Sequence, residues 1–398
     1  MIIFLHRQQK HHLELILPSL RVDYVLDEDW SAAKLQELHP AILVAFSDDW
    51  HETYDCIRKA RELQIPTLLL MDGILEWRHQ WENPRWGEGG GVPYKQPVQC
   101  DKVACIGRQS ARTLESWGNL GKCEVVGVPR FDRLSALPKS VPSGDVRRVL
   151  VMTAHTPGFT PEQLEITLRS LADVRDVLQA MPGVEVVWRV TRGLHERLGV
   201  ANRLDDWGGR DLPEILQQCD AVITTPTTAM LEAMLMDRPV ALLDYHNTPR
   251  YVPAAWNIYC REHIAGIVGE MFTRPARKLA FQDDILHDCL ECRTSATPRM
   301  VALIEAMADV GRRRKFGETA AIPQRVLEPG PIVPSGYLDM ARLYPGHPVL
   351  DNPSLDLQVE LIHCRQALAQ ARAQLAERGA GYWLQRGMHA VRRKIGSR

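Results

Sequence analysis

The chain has 398 residues, 45% of them apolar, and a formal charge of −1. This length and apolar content suit two domains with a sizeable core, and the near-zero charge offers no global field for nucleic acid, so no nucleic-acid partner is expected. Nine scattered cysteines fit reduced thiols in a cytoplasm. The opening MIIFLHRQQKHH is too short an apolar run for a signal peptide, and no segment approaches the roughly 20 apolar residues that span a bilayer, so a cytoplasmic location is expected.

In chain order, Met1 to Leu5 and Val22 to Leu26 read as strands, helix-like Ser31 to Leu38 follows, and Ala41 to Phe46 reads as a buried strand ending at Ser47-Asp48-Asp49. A helix from Trp50 to Leu63 leads to the all-apolar strand Thr67 to Met71. Lys102 to Ile106 and Cys123 to Val126 are two more strands, with Ser110 to Trp117 helical between them. Strands separated by helical stretches predict an α/β fold with a doubly wound parallel sheet. The polar stretch after Phe131, DRLSALPKSVPSGDVRR, marks a boundary. An N-terminal Rossmann-like domain over 1–133 and a linker over 134–147 are therefore expected. The alternation restarts with strand Val149 to Met152, helix Pro161 to Met181, strand Val184 to Val190 and a short helix from Asp211 to Cys219. Strand Ala221 to Ile223, the turn Thr224-Thr225-Pro226-Thr227-Thr228, a helix over Ala229 to Leu235 and strand Val240 to Leu243 complete a second Rossmann-like domain over 148–320. Residues 261 to 315 read as helices that pack this second domain.

In open α/β sheets ligands sit beyond the carboxyl ends of strands. A helix that opens with threonine hydroxyls and free N–H groups, at Thr227 and Thr228, suits a phosphate or carboxylate, and Glu232 one turn on suits the hydroxyls of a ribose. The alternative is a plain βαβ unit in which the threonines are helix caps. Asp72 and Glu76, at the end of the Thr67 strand, are the general-base or nucleophile candidates; alternatively Asp72 caps a helix starting at Gly73, and Ser47-Asp48-Asp49 reads as a cap too. The loop after them is long and rich in aromatic residues and glycine. Its Trp77, Trp81 and Trp86 serve either as floors for sugar rings or as a cover over the sheet edge. Arg189 and Arg192 are candidates to neutralise a diphosphate, and His155 to contact donor phosphate or base. His287, Cys289 and Cys292 form a lone HxCxxC; without a second pair, ordinary cysteines are expected and no metal site is assigned.

The run DLPEILQQCDAVITTPTTAMLEAMLMDRPVALLD resembles the donor-binding segment of bacterial GT-B glycosyltransferases, in the neighbourhood of the sugar-nucleotide 2-epimerases, CDP-glycerol glycerophosphotransferases and Kdo transferases of capsule and lipopolysaccharide. The segment DKVACIGRQSARTLESWGNLGKCEVVGVPRFD is similar to their last N-domain strands and the lead into the interdomain linker. The resemblance covers roughly residues 100 to 250. It implies two domains facing a cleft, with Thr227, Thr228 and Glu232 on the nucleotide of the donor and the acceptor entering from the N-terminal side. Asp72-Gly73 stands where many of these enzymes place a His-Gly turn. There is no DxD signature, so metal-independent transfer without a cofactor is implied, the nucleotide-sugar being a substrate. The expected activity is transfer of a sugar from CMP-Kdo or a UDP-sugar to a growing lipopolysaccharide or capsule glycan. The alternatives are a 2-epimerase of the same fold and a non-catalytic envelope-assembly scaffold.

A proline-rich linker over 321–352 precedes a helical tail over 353–398. In it Leu357, Leu361, Cys364, Leu368, Ala371 and Leu375 form a short coiled-coil seam or a helix docked on the body. Residues 381–398 combine Arg386, Arg392, Arg393 and Lys394 with Trp383 and Ile395. Such a basic amphipathic segment suits the anionic inner face of the cytoplasmic membrane, as a peripheral contact, or else a solvated terminus.

Overall fold

The computed structural model describes residues 1–5, 10–27, 31–48, 51–86, 94–139, 145–204, 211–328, 338–347 and 361–373. They build an α/β fold around two parallel sheets. The first contains β1 (Ile2–Leu5), β2 (Tyr24–Asp27), β3 (Ile42–Ala45), β4 (Thr67–Leu70), β5 (Lys102–Cys105) and β6 (Cys123–Val125) in the order β2-β1-β3-β4-β5-β6. The second contains β7 (Arg147–Met152), β8 (Val184–Arg189), β9 (Ala221–Thr224), β10 (Val240–Leu243) and β11 (Trp256–Ile258) in the order β11-β10-β9-β7-β8. Each sheet reverses direction beside its first strand, between β1 and β3 and between β7 and β9. These are the points where crossover helices diverge to opposite faces and leave a crevice.

The four-residue apolar runs form strands because both faces are covered. Successive side chains alternate. Ile3, Leu43, Leu69 and Val103 enter one core, while Ile2, Phe4, Ile42, Val44 and Leu68 enter another on the opposite face. In the second sheet Leu150, Val222 and Leu242 share the first core with helix Ala229–Leu235, and Val149, Ile223 and Leu243 face helices Pro161–Gln179 and Arg261–Thr273. One apolar core thus runs through both lobes, which form a single compact unit, Met1–Leu338.

The helices expected over 261–315 are present, three in number, but the last, Ala296–Lys315, packs on the first sheet and not the second. Met300, Leu303, Ile304 and Met307 join Ile2, Phe4 and Val44. Its seat is tight: a Cβ on Gly311 would lie 1.8 Å from the carbonyl oxygen of Ala41. Its first turn is held by Asp132 of the outgoing crossing, whose carboxylate accepts from the N–H groups of Ala296 and Thr297 at 2.8 Å. The chain that follows straps the first lobe, where Val326 and Leu327 donate to the buried Glu124 at 2.8 and 3.2 Å. This part of the expected linker is fastened because Lys102 also pairs with Glu124 at 2.8 Å and donates to the Gln324 carbonyl at 2.7 Å.

The second unit, Asp339–Arg398, has a short helix, Met340–Leu343, and a helix over 361–373 whose residues are all exposed. The latter carries seam positions Leu361, Cys364, Leu368 and Ala371. Leu357, Leu375 and the basic segment 381–398 lie outside the described residues. Among the described residues no helix is long and apolar enough to cross a membrane.

Candidate functional site between the lobes

The carboxyl ends of the two sheets meet. The loop after β4 reaches the turn after β9, where the Ile74 N–H donates to Thr228 Oγ1 at 3.1 Å. A Cβ on Gly73 would lie 2.3 Å from that same oxygen, so glycine permits the approach. Thr228 is the first residue of the helix cap by position, yet its hydroxyl makes no cap bond within its own helix. The neighbouring lobe takes up its acceptor instead. Thr225 Oγ1 accepts from the Ala154 N–H at 2.8 Å, fastening the β7 and β9 loops to each other. Thr227 is half-buried beside them.

Asp72, half exposed, faces the gap with His12 Nε2 3.9 Å from its Oδ2. No helix starts at Gly73; the next one is Trp77–Trp81. Asp48 accepts from the Gln99 N–H at 2.8 Å, a loop tie. Glu76 Oε1 receives both Nε and Nη2 of Arg78, at 2.9 and 2.8 Å. Burial pushes the Glu76 carboxyl above the usual carboxylate range against the opposing pull of Arg78. Arg78 is itself buried and donates through Nη1 to the Pro157 carbonyl of the second lobe at 3.4 Å. Its charge, after burial, helps to hold His246 down at about 4, so that imidazole is neutral at physiological pH. His246 Nε2 meets Thr167 Oγ1 at 3.2 Å.

The cleft side of the loop is aromatic. Trp81 Nε1 donates to the Tyr251 hydroxyl at 2.8 Å, and the Trp77 and Trp117 rings each lie 5.7 Å from that of Tyr251. His79 meets Phe159 at 5.2 Å. Trp86 stays within its own lobe, donating to the His79 carbonyl at 2.6 Å. Trp81 remains 48% exposed, so an aromatic face is open to the cleft mouth.

On the second lobe His155 and Arg192 lie together at the rim, Arg192 Nε donating to the His155 carbonyl at 3.4 Å. Desolvation and then the Arg192 charge lower the His155 pKa below its usual value. Arg189 turns inward and pairs with Asp211 at 3.1 Å. Glu232 is 4% exposed and its Oε1 accepts from Arg130 Nη1 at 2.9 Å. Burial raises its pKa, opposed first by Arg130 and more weakly by Arg189. The structure therefore assembles three groups: the loop of Gly73 and Ile74 with Thr228, Glu76 with Arg78 and the Pro157 carbonyl, and Glu232 with Arg130, Arg189 and Asp211. Arg78 and Arg130 carry no assignment from sequence, and His246 and Tyr251 only a place in the polar loop after Asp244, expected close to the donor. Arg78 pairs with Glu76 in its own loop and reaches the Pro157 carbonyl of the other lobe, and Arg130, in the segment leading to the linker, reaches Glu232 there. Among the described residues no group of three or more His, Cys, Asp and Glu side chains is placed to hold a metal ion.

Two parallel Rossmann-like sheets whose carboxyl edges face one cleft define a GT-B fold, in agreement with the expected class. Solved structures bear this out. S. aureus MnaA with UDP aligns with a TM-score of 0.55 at 11% identity, over 77% of this chain and 96% of that one. The Methanocaldococcus jannaschii UDP-GlcNAc 2-epimerase in complex with UDP-GlcNAc and UDP gives 0.51 at 12%, over 76% and 98%. A variant of the wall teichoic acid polymerase TagF gives 0.50 at 13%, over 80% and 90%. The chain thus resembles the group of GT-B sugar-nucleotide epimerases and glycan-building transferases, and at these identities the likeness speaks for the fold. No family model matches the sequence, and no curated protein matches it.

Proposed function

We propose that this protein is a glycosyltransferase that moves a sugar from a nucleotide-activated donor to a bacterial surface glycan, without a metal. The observation that carries the reading is the seating of the Asp72-Gly73-Ile74 loop on Thr228. It sets a solvent-facing carboxylate opposite the hydroxyl-lined turn that suits a donor phosphate. In this reading Asp72 takes the proton of the acceptor hydroxyl, whose oxygen attacks the anomeric carbon, and the nucleotide leaves with the bonding pair. Thr227, Thr228, the His155 imidazole and the Arg192 cation would meet the departing phosphate, and Glu232 the ribose. Arg189, inward and paired with Asp211, supports Glu232 electrostatically. Glu76 is raised in pKa and pinned by Arg78, which suits a group that holds or returns a proton. A UDP-sugar donor is favoured over CMP-Kdo, because two of the similar structures are named with UDP ligands. A lipid-linked acceptor would agree with a peripheral contact through 381–398 at the inner membrane face.

The epimerase reading rests on the same fold likeness and on Glu76 as an acid–base group. The two separate cleanly. Calorimetry with UMP, UDP, CMP and CDP is expected to show binding that Glu232→Ala weakens at least tenfold. UDP-sugar consumption is expected only when glycan acceptor is added. Turnover of free UDP-GlcNAc alone would establish the epimerase, and silence toward all four nucleotides would remove both enzyme readings.

A further inference from the structure

Arg130 stands in the segment that leaves the first lobe, between Pro129 and Phe131, and 102 residues from Glu232 in sequence. Its guanidinium rests 4.3 Å over the Phe131 ring centroid, a stacked seat that limits its rotation. From there Nη1 donates to Glu232 Oε1 at 2.9 Å. Among the described residues this is the only hydrogen bond of the Glu232 carboxylate, so Oε2 keeps its acceptor capacity. Arg130 Nε is buried and has no hydrogen-bond partner among the described residues, which leaves Glu232 as the cation's one side-chain anchor there.

A carboxylate this deeply buried stays ionised only beside a cation. Burial raises the Glu232 pKa and Arg130 leads the opposing influences. A protonated carboxyl would offer a vicinal diol one donor in place of an acceptor, and a neutral group binds hydroxyls more weakly than a charged one.

We infer that Arg130 is a positioning residue, which from the interlobe segment holds Glu232 oriented so that Oε2 accepts hydrogen bonds from the ribose hydroxyls of a nucleotide. This rests on the nucleotide-donor reading of the cleft. Arg130 acts through Glu232 and not on the sugar. Because it belongs to the chain leaving the opposite lobe, ribose recognition is coupled to the seating of the lobes.

The test is discrimination between UDP or CDP and the 2′-deoxy form of each, measured by calorimetry on the full chain. Wild type should prefer the ribonucleotide by roughly tenfold or more, the value of a hydrogen bond to a charged group. Arg130→Met should weaken ribonucleotide binding by about that factor and leave the 2′-deoxy affinity within about twofold, so that the preference collapses. Arg130→Lys, with charge but without the planar fork, should keep a reduced preference, and it decides the matter if the Met variant fails to fold. An unchanged ribo-to-deoxy ratio in the folded variant overturns the inference while leaving the nucleotide reading intact. Failure of wild type to bind either ribonucleotide overturns both.

Discussion

At the scale of single residues the cleft divides its carboxylates by environment. Asp72 faces solvent, whereas Glu76 and Glu232 are shielded and each held by one arginine. Asp72→Asn is therefore expected to lower the transfer rate by roughly 10²- to 10⁴-fold, the usual worth of a general base, with nucleotide affinity unchanged within about twofold. A rate loss matched by an equal affinity loss would place Asp72 in binding instead. His246 yields a pH prediction. Its pKa is about 4 in the fold against an ordinary 6.5, so the unfolded chain binds the extra proton first as pH falls. Its contribution is fully present above about 6.5 and is lost progressively toward about 4. Denaturant unfolding of His246→Gln at pH 7 and pH 4.5 should show a smaller acid loss than wild type, by roughly 1 kcal/mol once solvent screening is allowed for. Equal losses would mean that the neutral imidazole is not what the fold requires there. Thr227, Thr228 and Glu232 stand out in the sequence because a hydroxyl-rich turn and a carboxylate one helical turn on make a local pattern. Arg130 does not, because its pairing with Glu232 runs across 102 residues and no local spacing encodes it, and neither does the tie of Arg78 to the Pro157 carbonyl of the other lobe.

At the scale of elements, inner strands such as β3, β4, β9 and β10 follow from short apolar runs that only a sheet covered on both faces can absorb. Strand β11 was not legible: three residues at an edge after a proline- and tyrosine-rich loop carry too little pattern to separate from that loop. Helix Ala296–Lys315 was legible as a helix, but not as part of the first lobe, since an apolar stripe tells that a face is covered and not by what. Its anchor is Asp132, which also accepts from the hydroxyls of Ser295 and Thr297, both at 2.6 Å. Asp132→Ala should cost roughly 2 kcal/mol, at the upper end of cap substitutions because a charged acceptor serves several donors. Chemical denaturation reads this directly. A change below about 0.5 kcal/mol would show that the sheet contacts alone seat the helix.

At the scale of the whole molecule, the two lobes share a core on one side and meet through aromatic and polar contacts on the other. The core side includes backbone in close approach, since a Cβ on Gly107 would lie 2.3 Å from the Cys289 carbonyl oxygen and one on Gly127 2.4 Å from that of Glu291. That side resists separation. The cleft side is held by separate polar and ring contacts, among them the Ile74–Thr228, Arg78–Pro157 and Trp81–Tyr251 hydrogen bonds, the Trp77–Tyr251 and His79–Phe159 ring pairs, and a Gln163–Glu82 hydrogen bond at 3.0 Å. In the proposed transfer reaction a nucleotide-sugar and a glycan acceptor would have to part contacts of this kind to enter together. On that reading the lobes would open about the shared core and close again on the substrates, with the loop after β4 as the moving edge. Tyr251→Ala removes the hydroxyl that Trp81 binds and the ring that Trp77 and Trp117 flank, which shifts the population toward the open form. Small-angle scattering of the unliganded variant should show a radius of gyration larger by about 1 Å, a change of the size expected for lobe rotation in a chain of this length. The donor KM should rise, because part of the binding energy is then spent on closure. Radius and KM both equal to wild type would identify the aromatic cluster as a static cover over the sheet edge, the alternative its tryptophans had left open.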